Sequence, residues 1–372
     1  MPSSIIFLAD LHLGEGCNSS SRGYQLNDTN CYSFRHLNAT IAKANEEIAR
    51  LAHVSPVQLV LVGGDITSSA QYTEFEGARA LLERLDAPYL PVLGNHDIWS
   101  YDETRGDLTP TPVADELFAG TFAATFASFA RQPGFTYPNT SVHDPHHACH
   151  SRYQSWELRL AAEVYGADLA GLTFIAPDFN TRARALPPCP GHSPIGGCGV
   201  PGNADLHDFT GGAMPWFRDR LAALAKRTPV QRPPRSVFLL THQPFRCRVG
   251  VPDWVFCFSG AHKATVRTAL LAAGAGVLPA FWGVLAGHQH RWFNGTAFDE
   301  TDFRGFRQWE NSATKGDAID HNASSAFSTW RFAASRLSTI TRHWQEGGVW
   351  HRQEEPQGEP QEGQKNKDSM KA

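Results

Sequence analysis

The sequence predicts an α/β fold with a largely parallel sheet core, and two observations carry that prediction. Short apolar runs alternate with stretches whose apolar residues recur at helical spacing. Five of those runs end close to Asp, Asn or His, where the ends of neighbouring strands would lie side by side.

Taken in order, "IIFLA" (5–9) reads as a buried strand. From Ser33 to Ala52, Phe34, Leu37, Ile41, Ile48 and Leu51 fall on one helical face. "LVLV" (59–62) is the second strand, and "YTEFEGARALLERL" (72–85) a helix that turns Phe75, Leu81, Leu82 and Leu85 inward. "YLPVL" (89–93) completes a βαβαβ unit. Residues 100–170 break this rhythm and read as an insertion over a site, with one helix from Val113 to Ala130. "LTFIAPDF" (172–179) resumes strand character. "PWFRDRLAALAK" (215–226) is a helix with Pro215 in its first turn. "SVFLLTH" (236–242) and "FWGVLAGHQH" (281–290) are strands running into histidines, separated by a helix over 263–273. "STITRHW" (338–344) is a late strand, and 351–372, rich in Gln, Glu, Pro, Gly and Lys, reads as a disordered tail. The reading is thus one domain over 1–350.

Composition narrows the partners. Lys and Arg total 33 against 37 Asp and Glu, which gives a nucleic-acid partner no electrostatic support. No apolar run reaches the length of a membrane span. "MPSS" leaves no room for a secretory leader ahead of the first strand. Yet acceptor sequences N-x-S/T occur at Asn18, Asn27, Asn38, Asn139, Asn294 and Asn322, where chance gives about one or two. They point to a glycosylated protein of the secretory pathway or the extracellular space, with a leader upstream of this start; a cytoplasmic protein is the alternative. Cys17 with Cys31, Cys189 with Cys198 and Cys247 with Cys257 each bracket a loop that a disulfide would staple, leaving Cys149 over. Free thiols are the alternative, since spacing alone does not establish pairing.

The chemistry lies at the strand ends. They deliver Asp10 and His12, then Asp65, then Asn95, His96 and Asp97, then His242, and finally His288 and His290. Glycines before Asp65, Asn95 and His288 suit sharp turns that aim these groups at one point. Carboxylate and imidazole without thiolate describe a site for Mn, Fe or Zn. The groups are too many for one tetrahedral ion, and a carboxylate bridging two ions accounts for the surplus.

The ordered set Asp10-x-His12, Gly64-Asp65, Gly94-Asn95-His96-Asp97, His242 and Gly287-His288-Gln289-His290 resembles the calcineurin-like metallophosphoesterases. The resemblance implies a four-layer α/β/β/α sandwich with two mixed sheets flanked by helices. It implies that Asp10, His12 and His290 hold one metal, that Asn95, His242 and His288 hold the other, and that Asp65 bridges. It makes His96 the general acid and, with Asn95, a phosphate contact, while Asp97 would orient His96. The activity implied is hydrolysis of a small phosphomonoester or phosphodiester by a water activated between two metals. "GGDITSSAQ" lacks the Arg of Ser/Thr protein phosphatases, and Ser68 stands where purple acid phosphatases carry Tyr. Two other readings stay open: a nuclease-like phosphodiesterase and a non-catalytic scaffold on the same fold.

Outside these motifs, Arg246 and Arg248, just past His242, and Arg182 and Arg184 are candidate grips for an anionic group, with solvated surface charge the alternative. "SVHDPHHACH" gathers His143, His146, His147 and His150 around Cys149, as a further metal site, a substrate-facing loop or merely a solvated one.

Overall fold

The computed structural model describes residues 1–15, 31–98, 101–102, 107–108, 113–145, 149–182, 204–226, 236–247, 257–273, 281–298, 306–311, 313–314 and 326–357. The first third is β1 (Ser3–Leu8), α1 (Tyr32–Leu51), β2 (Val57–Val62), α2 (Tyr72–Leu82) and β3 (Tyr89–Pro91). Then come β4 (Tyr101–Asp102), β5 (Asp107–Leu108), α3 (Val113–Thr121), α4 (Ala123–Ala130), β6 (Phe135–Thr136), β7 (Ser141–Asp144), β8 (Cys149–Arg152), β9 (Trp156–Arg159) and α5 (Ala162–Tyr165). The second half holds β10 (Thr173–Ala176), α6 (Ala213–Lys226), β11 (Val237–Leu240), α7 (Gly260–Ala272), β12 (Phe281–Ala286), β13 (Phe293–Thr296) and β14 (Arg307–Glu310). It closes with β15 (Ala326–Ala333), β16 (Arg336–Glu346) and β17 (Val349–Pro356).

Two large sheets stack face to face. One runs β17-β16-β15-β1-β2-β3, the other β13-β14-β12-β11-β10-β9-β6. The first is parallel over β1, β2 and β3 and antiparallel from β1 through β17; the second is parallel at its centre and antiparallel toward both margins. β1 pairs in parallel with β2 (Ile6 opposite Val60) and antiparallel with β15 (Ile6 opposite Thr329). β10, β11, β12 and β14 are parallel, while β9 and β13 run against them. The sheet core is therefore mixed, not largely parallel: β15, β16 and β17 form a meander that returns beside β1 and needs no helical crossover.

Strand alternation sorts the residues into layers. Phe238 and Leu240 of β11 face the first sheet, where Phe238 lies 6.1 Å from both Trp330 and Phe332 of β15 between ring centroids. Leu239 and Val284 point the other way, onto Phe217 and Leu221 of α6 and Val266 and Leu270 of α7. Leu37 and Ile41 of α1 and Phe75 and Leu81 of α2 are buried in the core of the first sheet. Burying each such side chain contributes about 1.5–3 kcal/mol. The order is helix, sheet, sheet, helix.

Three boundaries differ from the sequence reading. The helix over 113–130 bends at Phe122, whose φ of −97° and ψ of 12° leave the helical range, although the backbone bonds from Phe122 to Phe118 and from Phe126 to Phe122 persist. The segment 100–170 is not wholly an insertion, because β6 and β9 extend the second sheet. β17 carries the chain through Pro356, so the first six residues assigned to the tail belong to the sheet. Their polar side chains suit an edge strand, which has one row of backbone groups and often one face in water.

Candidate metal centre

β1, β2 and β3 of the first sheet and β11 and β12 of the second finish at one edge. The loops after β1 and β2 zip together there: Asp10 N–H donates to the Gly64 carbonyl (3.0 Å), His12 N–H to Asp65 (2.8 Å) and Leu13 N–H to Ile66 (3.0 Å). Other bonds cross between the sheets at this edge. His288 N–H donates to Asp10 Oδ1 (2.8 Å) and His242 Nδ1 to the Gly63 carbonyl (2.9 Å).

The aim of these side chains is set by unusual backbone. Asp10, His12, Asp65, His288 and His290 all have positive φ, between 43° and 71°. Asp and His enter this region more readily than most residues, and strain of this kind gathers at ligand sites. The neighbouring glycines act differently from one another. Gly64 itself has φ +92°, whereas a methyl on Gly94 would fall 2.1 Å from both Asp65 N and Asp65 Oδ1. Gly94 is there for space.

Two groups of ligand atoms result, each within 4.8 Å: Asp10, His12, Asp65 and His290, and Asp65, His242 and His288. Asp65 belongs to both. Its Oδ1 accepts from His96 N–H (2.9 Å), while Oδ2 lies 3.4 Å from His12 Nε2 and 3.1 Å from His242 Nε2. His12 Nε2 and His290 Nε2 are 3.0 Å apart, and His242 Nε2 is 3.1 Å from His288 Nδ1 and 3.0 Å from Asn95 Oδ1.

This donor set fits cations. Because His242 Nδ1 meets a carbonyl it must carry a proton, so Nε2 presents its lone pair, or a second proton, to the Asp65 and Asn95 oxygens. Asp10 Oδ2 is buried and has no hydrogen-bond partner among the described residues. Both carboxylates are about 1% exposed or less. Burial disfavours the imidazolium of His242, but Asp65, Asp10 and the Gly63 carbonyl together outweigh that effect and hold its pKa up at about 9. Burial alone would raise Asp65; His242, His96 and His12 hold it well below the usual carboxylate range. Asp10 is raised, chiefly by burial, and His288 is held well below the ordinary histidine value by burial and by His242. A bound cation would replace the positive charge that His242 supplies and release its proton.

A model of the calcineurin-like phosphoesterase family matches residues 3–292. This chain belongs to that family. A probable cyclic nucleotide phosphodiesterase of Xenorhabdus bovienii (strain SS-2004) is 29% identical over 94 residues, 25% of this chain and 34% of the relative. The match thus spans about a third of that relative's length. Among solved structures, phosphopantetheinyl hydrolase of Mycobacterium tuberculosis aligns over 84% of this chain and 91% of its own, with a TM-score of 0.41 and 13% identity. Vacuolar protein sorting 29 of Cryptosporidium parvum aligns over 96% and 100%, with a TM-score of 0.34 and 10% identity.

Several assignments within this family member change. Asp97 does not orient His96. It is fully buried, and its two oxygens accept from Gly94 N–H, Ile66 N–H, Thr67 N–H and the Thr67 hydroxyl, bracing the loops after β2 and β3. Burial, then the charge of Asp65, pushes its pKa to about 7. The Ser68 carbonyl, 2.7 Å from His96 Nδ1, orients His96 instead. Arg182 grips no substrate: it is buried against Asp178 (2.6 Å) and Asp115 (3.3 Å). Arg246 Nη1 donates to the Thr296 hydroxyl (3.0 Å).

Asn180 and Gln243 escaped the sequence reading. Asn180 Nδ2 donates to the Leu93 carbonyl (2.8 Å), and its Oδ1 accepts from Gln243 Nε2 (2.8 Å), linking the loop before Asn95 to the residue after His242. The signal was present, since Asn180 also follows a strand, but no motif surrounds it.

The Cys247–Cys257 bridge forms, with a Cα separation of 5.8 Å. Cys17, Cys189, Cys198, Arg184, Arg248, His146, His147, Asn18, Asn27 and Asn322 lie outside the described residues. His143 is exposed and sits opposite His150 in the β7–β8 hairpin. Asn139 is exposed, while Asn38 is half-buried with its Oδ1 bound to Arg84 (2.6 Å). Asn294 Nδ2, the atom a glycan would take, donates to Glu355 Oε2 (3.0 Å). Among the described residues no helix is long and apolar enough to cross a membrane.

Proposed function

We propose that the enzyme hydrolyses a small phosphomonoester or phosphodiester with two metal ions of the Mn, Fe or Zn class. Asp10, His12 and His290 hold one, Asn95, His242 and His288 the other, and Asp65 bridges them. The observation that carries this reading is the position of Asp65 Oδ2, 3.4 Å from His12 Nε2 and 3.1 Å from His242 Nε2. When bound, such ions lower the pKa of water and offset charge on phosphoryl oxygens. His96 supplies the leaving oxygen with a proton from Nε2, because Nδ1 is committed to the Ser68 carbonyl. Asn95 and Arg246 contribute to holding the phosphate. The likeness to a probable cyclic nucleotide phosphodiesterase supports placing a cyclic diester among the first substrates tried.

The test is a matrix of apo-protein reconstituted with Mn, Zn, Fe or Mg against chromogenic mono- and diesters. Turnover should appear with at least one ion and vanish on chelation. Reconstituted protein inert on every ester overturns the reading. We also propose that the protein enters the secretory pathway, which the disulfide and the exposed Asn139 support. Intact mass of the native protein before and after deglycosylation should differ; identical masses refute its glycosylation.

A further inference from the structure

β14 lies beyond residues 3–292, the span matched by the family, yet it reaches the metal-centre edge. It runs parallel to β12, with Glu310 opposite Ala286, two residues before His288. Glu310 is 1% exposed but belongs to neither group of candidate ligands among the described residues. Its carboxylate instead takes Arg291 by two bonds, Nε to Oε2 at 2.9 Å and Nη2 to Oε1 at 3.0 Å, and Gln308 Nε2 at 2.6 Å.

Arg291 adjoins His290, whose φ of 52° needs support from its surroundings. Gln308 clamps the backbone of Arg246, four residues after His242: its Oε1 accepts from Arg246 N–H (2.8 Å) and its Nε2 donates to the Arg246 carbonyl (3.0 Å). Past Glu310, Asn311 N–H donates to the Ala286 carbonyl (3.1 Å) and Asn311 Nδ2 to the Phe7 carbonyl (3.2 Å). Thr314 N–H reaches the carbonyl of Ala9, next to Asp10 (3.0 Å).

We infer that Glu310 is a positioning residue for the Asp10–His12–Asp65–His290 group: it fixes His290 through Arg291, so that a segment outside the family match completes the metal centre. This rests on the reading that the group holds a cation. Buried partners of this kind orient ligands without touching the ion, and losing one lowers metal affinity about 10- to 100-fold.

The experiment titrates apo-protein with Mn²⁺ and with Zn²⁺ by calorimetry for the wild type, Glu310→Gln and Arg291→Lys, with thermal melts to establish folding. The wild type should bind two ions. Each variant should weaken one ion about 10- to 100-fold and leave the other at wild-type affinity. Excess metal should then restore turnover, which a collapsed site would not allow. Lys lacks the planar fork that makes both bonds to Glu310, so Arg291→Lys tests the same contact with little change in charge or bulk. It decides alone should Glu310→Gln fail to fold. A folded variant that binds both ions with wild-type affinity overturns the inference. A wild type that binds no ion overturns the metal-centre reading itself.

Discussion

Two buried clusters of charge sit within the same fold and are built on opposite principles. In one, Arg182 lies between Asp115 of α3 and Asp178 after β10, donating to Asp178 at 2.6 and 3.2 Å and to the Asn180 carbonyl at 2.9 Å. Burial and the two carboxylates act against each other on its guanidinium, and the carboxylates prevail, raising its pKa. Burial raises Asp178, but Arg182 with the Gln154 N–H and His207 outweighs it and the net shift is down, while Asp115 is pushed by burial to about 6. That cluster balances itself. In the other, imidazole nitrogens face one another and two buried carboxylates, and positive charge must be brought in as protons or cations. A closed ion cluster holds elements together; an open one is built to receive something.

The sharpest break of this contrast is at the shared carboxylate. Asp65→Asn should abolish turnover and remove bound metal while the melting temperature of the apo-protein holds or rises. An apo-protein that unfolds would mean that the open cluster is structural after all. The mirror experiment is Arg182→Met, which leaves Asp115 and Asp178 buried without their cation. It should lose about 3–5 kcal/mol of stability in urea, with unchanged metal content in the folded fraction. Loss of metal at unchanged stability would reverse the two roles.

His96→Gln separates proton transfer from ligand binding. Turnover should fall about 10²- to 10³-fold with both ions retained, as read by metal analysis of the purified variant. The smallest effect concerns Glu74, buried under the loop after β2, where burial raises its pKa to about 7 despite bonds from Ser69 and Gln71. Its folded pKa lies above the unfolded one, so its contribution to stability falls as pH rises from about 4.5 through about 7. Glu74→Gln should remove about one proton from the pH dependence of the urea midpoint over that window.

The strand ends were legible in the sequence because an apolar run, a glycine and a ligand side chain stand next to each other there. Asp10, His12, Asp65, Asn95, His242, His288 and His290 needed only the rule that strand ends share an edge to be gathered, and the structure brings them together. What each neighbour does was not legible. Asp97 follows His96 directly, yet the turn directs its carboxylate to three backbone N–H groups, a choice made by local φ and ψ. Arg182 resembled a surface grip because Asp115, from a distant helix, covers it only in three dimensions. β6, β9, β13 and β14 are two to four residues long, too short for alternation to stand out. The positive φ values of the candidate ligands leave no trace, since Asp and His occur equally in ordinary loops.

The bond from Asn311 to the Phe7 carbonyl joins residues 304 positions apart. At 5–20 residues per second, the ribosome delivers the second partner about 15–60 s after the first. Throughout that interval β1 and its two ligands are present in a nascent chain that lacks the segment closing their edge. The metal centre is therefore among the last parts of the molecule to be assembled during synthesis. A chain that stalls before β14 carries all seven candidate ligands yet lacks the clamp on His290.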